Sequence, residues 1–219
     1  MIDICMDDSL NGIGIQPVHG KSPFSASWYK TQKQGKTGML KAARNNLRTY
    51  FSRLNPPKDS VMWTTFKSFK DDLKPHRYTK LPDGKDSFTS CNCRATEEFG
   101  ARSALAYMVD RHLNPGIIHF LAQNDVSIDE GEYALSELIQ WIFRSRIRFT
   151  HKPDAERRIS LYIPSERMRN LLLTWLGRPI PVRLSSGQLP SHNLGVLPDP
   201  TGVPVEKRSE ICIDLKPVP

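Results

Sequence analysis

The chain is poor in the features that announce the commoner chemistries. It has four cysteines in 219 residues, and only Cys91 and Cys93 lie close together, so free thiols are expected rather than disulfides or a closed zinc site. Its six histidines (His19, His76, His112, His119, His151, His192) never fall in an H-x-x-x-H or H-x-H spacing, and no serine lies in a nucleophile elbow. Metal-assisted and nucleophilic catalysis therefore have little sequence basis, and no metal site is expected. No run approaches the roughly 18 apolar residues of a membrane span. The acidic start MIDICMDDSL has no signal-peptide core, so the expected setting is cytoplasmic, with no membrane partner.

Phosphate-loop signals are also incomplete. Gly20-Lys21-Ser22 has its upstream glycine, Gly14, one residue too far away, and Gly35-Lys36-Thr37 has Lys30 where the first glycine belongs. A phosphate loop works because its glycines let successive backbone N–H groups curl round the anion, and neither fragment supplies that geometry.

What is present suits one domain of ~150 residues with extensions. Hydrophobic residues make up 38% of the chain and charged residues 25%, the formal net charge is +8, and the sequence pI is about 9.4. An excess of that sign favours polyanionic partners. Along the chain, Ile2, Ile4 and Met6 alternate like an edge strand, but Gly12, Gly14, Pro17, Gly20 and Pro23 predict an irregular arm over residues 1–37. Leu40, Ala43, Leu47, Phe51 and Leu54 recur at helical spacing until Pro56-Pro57. Val61 to Phe66 predicts a strand, Lys67 to Lys74 a short helix, and Ser87 to Asn92 a second strand. Phe99, Leu105, Met108 and Val109 with several alanines predict a helix to Leu113, and Asn114-Pro115 starts a shorter one. Ile159 to Ile163 alternates as a strand, and Pro164-Ser165 opens a helix that stops at Gly177. From Arg178 onward lie eight of the seventeen prolines, which predicts an extended C-terminal arm. Strands alternating with helices predict an α/β domain over 38–177: a parallel-type sheet with helices on both faces.

The stretch Tyr133 to Arg148, YALSELIQWIFRSRIR, is apolar on most of its circumference and ends in Arg144, Arg146 and Arg148. Continued as one helix, it puts Gln140, Arg144 and Arg148 on one face, a guanidinium fork suited to phosphate. Arginines in a last turn also favour the helix dipole while simply solvated.

The order helix, VMWTTF, FTSCNCRAT, helix, YALSELIQWIFRSRIR, RISLYIPS, ERMRNLLLTWL resembles the C-terminal (second) RecA-like lobe of superfamily 2 helicase-like proteins, particularly those of phages and mobile elements. The resemblance spans roughly residues 38–177. It implies a polar-turn motif near Asn92, Arg94 and Thr96, and an arginine motif at Gln140, Arg144 and Arg148 that reaches the γ-phosphate of ATP from across a cleft. It further implies a nucleic-acid face with Arg94, Thr96, Thr64, Lys67 and Arg146. The pattern departs in two places: Phe143 stands where the family has a glycine, and Ile147 where it has its second arginine. No first lobe fits in the chain, so ATP and Mg are expected only with a partner lobe.

Three functions are weighed on these residues. The favoured one is a stand-alone lobe that binds nucleic acid, DNA or RNA, as a subunit or accessory of a replication, recombination or phage-defence complex. Trp28, Tyr29, Tyr50 and Tyr78, read as exposed aromatics among lysines and arginines, would allow base stacking; core packing is the alternative for each and the expectation for Tyr50. The second is an assembly protein that meets a protein partner or its own copies through the N-terminal arm and residues 178–219. The third is an enzyme of another kind, for which the scattered histidines give little support.

Overall fold

A computed structural model of the protein describes residues 1–15, 20–91 and 97–181. The strand β1 (Ile2–Ile4) leads into α1 (Asp8–Asn11), α2 (Ala26–Gly35) and α3 (Met39–Leu54). Then come β2 (Val61–Thr64), α4 (Lys70–Leu73) and β3 (Ala104–Tyr107). The order continues with α5 (Pro115–Ala122), α6 (Glu130–Ile142), α7 (Asp154–Arg157), β4 (Ile159–Tyr162) and α8 (Glu166–Trp175). The four strands form one sheet in the order β1, β4, β3, β2, with every pair parallel.

β2, β3 and β4 each feed two cores, because successive side chains point to opposite faces, while the edge strand β1 feeds one. Met62, Leu105, Tyr107, Ile159 and Leu161 meet Ala134, Leu138 and Trp141 of α6 and Met168 and Leu172 of α8. Val61, Trp63, Ala104, Ala106 and Tyr162 meet Trp28 and Tyr29 of α2 and Ala43, Leu47, Tyr50 and Phe51 of α3. Helices therefore cover both faces, which is why the inner strand β3 is apolar throughout rather than alternating.

Local chemistry sets most helix starts. The side chains of Asn114, Asp129 and Ser165 accept the N–H groups of Gly116, Gly131 and Met168 at 2.8, 2.6 and 3.3 Å. Gly177, at φ +63°, follows the last helix.

The structure differs from the sequence reading at four places. The edge strand sits at Ile2–Ile4, where the alternation placed it, but residues 20–37, expected to be irregular, supply the buried helix α2. The expected helix from Phe99 to Leu113 contains β3 instead: Ala104 to Tyr107 is a fully buried run flanked by strands, and such a run carries no periodicity to tell strand from helix. Of the strand expected over 87–92, only one parallel bridge forms, Phe88 with Trp63, on the edge of β2. The long helix expected to reach Arg148 stops at Ile142. The extended arm expected from Arg178 onward lies, over residues 182–219, outside the described residues.

Candidate functional site

The arginines that close α6 part company. The N–H groups of Arg144 and Ser145 bond to the carbonyls of Trp141 and Ile142 at 3.2 and 3.0 Å, a tightening to three-residue closure, after which Ser145 is extended. Gln140, Arg144 and Arg148 therefore do not share one helical face. Arg144 turns inward, 9% exposed, and its Nη1 donates to the carbonyls of Ser90 and Cys91, both at 3.1 Å. Beside it Trp141 Nε1 donates to the Thr89 carbonyl at 3.4 Å. Together they strap residues 89–91 onto the end of α6.

Arg146 is turned elsewhere, its Nε donating to the Arg158 carbonyl at 2.7 Å and its N–H to the Arg102 carbonyl at 3.1 Å. Arg148 lies half-buried with its guanidinium 5.9 Å from the Phe149 ring, and Gln140 is exposed. Thr64, at the end of β2, is buried with its Oγ1 3.2 Å from Cys91 Sγ. Burial pushes the Cys91 thiol up, the hydrogen bond with Thr64 opposing, so Cys91 is no activated nucleophile. The fold thus brings together Thr64, Cys91 and Arg144. Lys67 is exposed beyond β2, and Arg94 and Thr96 lie outside the described residues.

The carboxyl ends of the strands, where open α/β sheets hold ligands, are built from groups that the sequence reading passed over. Asp110, just past β3 and 1% exposed, accepts from Arg167 Nη1 at 2.9 Å and lies 3.1 Å from His112 Nε2. Arg167 also donates to the carbonyls of Arg111 and Glu130, at 2.8 and 3.2 Å. The hydrogen bond to Asp110 holds the His112 imidazole above its ordinary value, with burial opposing. Reading β3 as a helix hid this cluster, since only a strand end marks Asp110 as a carboxyl-edge residue.

Between β1 and β4 the connections leave for opposite faces, and there the space is taken by the chain itself. A Cβ on Gly14 would lie 1.7 Å from the Pro164 carbonyl oxygen. Asp7, after β1, caps α1 by accepting the Ser9 N–H at 2.8 Å and pairs with Arg53. The Gly35-Lys36-Thr37 fragment is the turn between α2 and α3, with Lys36 and Gly38 both left-handed. Among the described residues, no group of three or more His, Cys, Asp or Glu could hold a metal ion. Among them, too, no helix is long and apolar enough to cross a membrane.

The four aromatics considered for stacking are core residues. Trp28 and Tyr29 have no exposed surface, and Tyr50 and Tyr78 keep 6% and 7%. Tyr50 stacks on Tyr162 with centroids 5.1 Å apart. The charge around them is another matter. Residues 20–86, which build α2, α3, β2 and α4, carry fifteen Lys and Arg against five Asp and no Glu. That excess is larger than the +8 of the whole chain, so one side of the sheet holds the positive charge.

The family model described as the YonV C-terminal Rossmann-like domain matches residues 1–176. The SPbeta prophage-derived uncharacterized protein YonV of Bacillus subtilis (strain 168) is 36% identical over 154 residues, covering 70% of this chain. The match spans only 34% of that relative's length. No solved structure matches the chain. The parallel sheet covered on both faces and a family match that begins at residue 1 agree, and the chain belongs to the family of the YonV C-terminal Rossmann-like domain.

Proposed function

We propose that this chain is a nucleic-acid-binding, helicase-like lobe. On this reading it serves as a subunit or accessory of a replication, recombination or phage-defence complex and has no complete ATP site of its own. The observation that carries the reading is the concentration of the positive excess in residues 20–86, the segment that builds α2, α3 and α4. A one-signed face attracts a polyanion over the range of the field, whereas the same charges spread evenly would only aid solubility.

The relative YonV supports the second half of the proposal, because the matched region is about a third of a longer protein. A partner lobe, in the same or another polypeptide, would then hold ATP and Mg. On this reading Gln140 and Arg148 would meet that partner, and Arg144 would act by holding residues 90 and 91 in place. Phosphoryl chemistry needs the nucleotide held by other parts before an arginine can stabilise it.

Anisotropy of a labelled single-stranded oligonucleotide, as DNA and as RNA, tests the reading. Binding should weaken about 50-fold between roughly 50 and 200 mM salt if some four phosphates are neutralised. No binding at the lower salt, or binding indifferent to salt, would overturn it.

A further inference from the structure

We infer that the outer face of α3 is a phosphodiester-backbone site that holds nucleic acid without reading its bases; the inference rests on the nucleic-acid reading above. The buried face of α3 is Ala43, Leu47, Tyr50 and Phe51, so helical spacing turns Arg44, Asn45, Arg48, Thr49 and Ser52 outward. Between this face and the chain after α4 lies a groove of about 620 Å³ lined by Arg44, Asn45, Arg48, Lys74, His76 and Thr79. A second hollow of about 510 Å³ shares Asn45 and Arg48 and continues to Arg53. From Arg44 to Arg53 the two run along ~14 Å of helix. That length suits a strand rather than a single anion.

Of the charges along the two hollows, some are paired and some are not. Lys33, Lys70 and Lys74 pair with Asp72, Asp86 and Asp71 at 2.8, 2.6 and 2.6 Å, and Arg53 pairs with Asp7. Arg44 and Arg48 have no ion pair or hydrogen bond among the described residues. They stand one turn apart on the same face, where like charges repel and cost a few tenths of a kcal/mol. Nothing described within the chain offsets that cost; a phosphate on each guanidinium would. Asn45, Thr49 and Thr79 add amide and hydroxyl groups suited to phosphate oxygens. Among the described lining residues the His76 imidazole is the one aromatic ring, so the site offers bases little to stack on.

The test uses the full chain and labelled oligo(dT) and oligo(dA) of equal length. Arg44→Ala with Arg48→Ala is compared with Lys30→Ala with Lys58→Ala, which removes the same charge from the same layer at exposed positions outside both hollows. The groove pair should weaken binding about tenfold more than the control pair and lower the salt slope by about 1.4, the share of two phosphates on a single strand. Thermal melting should be unchanged in both variants, and wild type should bind both oligonucleotides alike. Equal losses in the two variants would remove the groove and leave the nucleic-acid reading standing, as would a strong preference for one base. Failure of wild type to bind would remove both.

Discussion

Arg144 shows how far a single residue can be read before its backbone is known. Its charge and its place at the end of an apolar helix were legible, and both are correct. Its partners were not, because a fork of arginines requires the helix to continue, and the turn at Ser145 sends each guanidinium to a different place. The two carbonyls it serves belong to residues more than fifty positions earlier in the chain, a separation no local pattern encodes. Arg144→Ala should therefore cost about 2–4 kcal/mol in urea unfolding, since charged hydrogen bonds are lost and buried carbonyls are left without a donor. Lys67→Ala, at an exposed site, should stay within about 0.5 kcal/mol. Equal stabilities of the two variants would show that the Arg144 strap does not hold the fold.

Among the elements, those with a clean period were legible. α3, α6 and α8 each show an apolar stripe and a buried face to match, and β2 and β4 sit where β-branched and aromatic residues gather. β3 was hidden because ALAY favours a helix by propensity and is buried on both sides. α2 was hidden for the opposite reason: its mean character is polar, and two aromatics, Trp28 and Tyr29, do nearly all its packing. α5 reverses the usual relation of sequence to burial. None of its residues is buried, although Ile117 and Phe120 remain 49% and 63% exposed as large apolar groups. Ile117→Glu combined with Phe120→Lys should shift the melting temperature by no more than about 2 °C, as surface changes do. A large fall in thermal melting would mean that α5 is packed after all.

At the scale of the whole molecule, the domain begins where an arm was expected. Deleting residues 1–37 takes away β1 and with it Trp28 and Tyr29, large core side chains whose loss costs about 3–5 kcal/mol each, against a total stability of roughly 5–15 kcal/mol. The truncated chain should show no cooperative melt by circular dichroism; a cooperative transition would restore the arm as a separate piece. The sheet order has a consequence in time as well. Ile2 of β1 pairs with Ile159 of β4, the last strand among the described residues, and no other described strand borders β1. At roughly 5–20 residues per second on the ribosome, β1 must wait about 8–30 s for β4. During that interval Ile2 and Ile4 stay uncovered by β4. The growing chain therefore offers a bare strand edge to any passing partner until the sheet is completed.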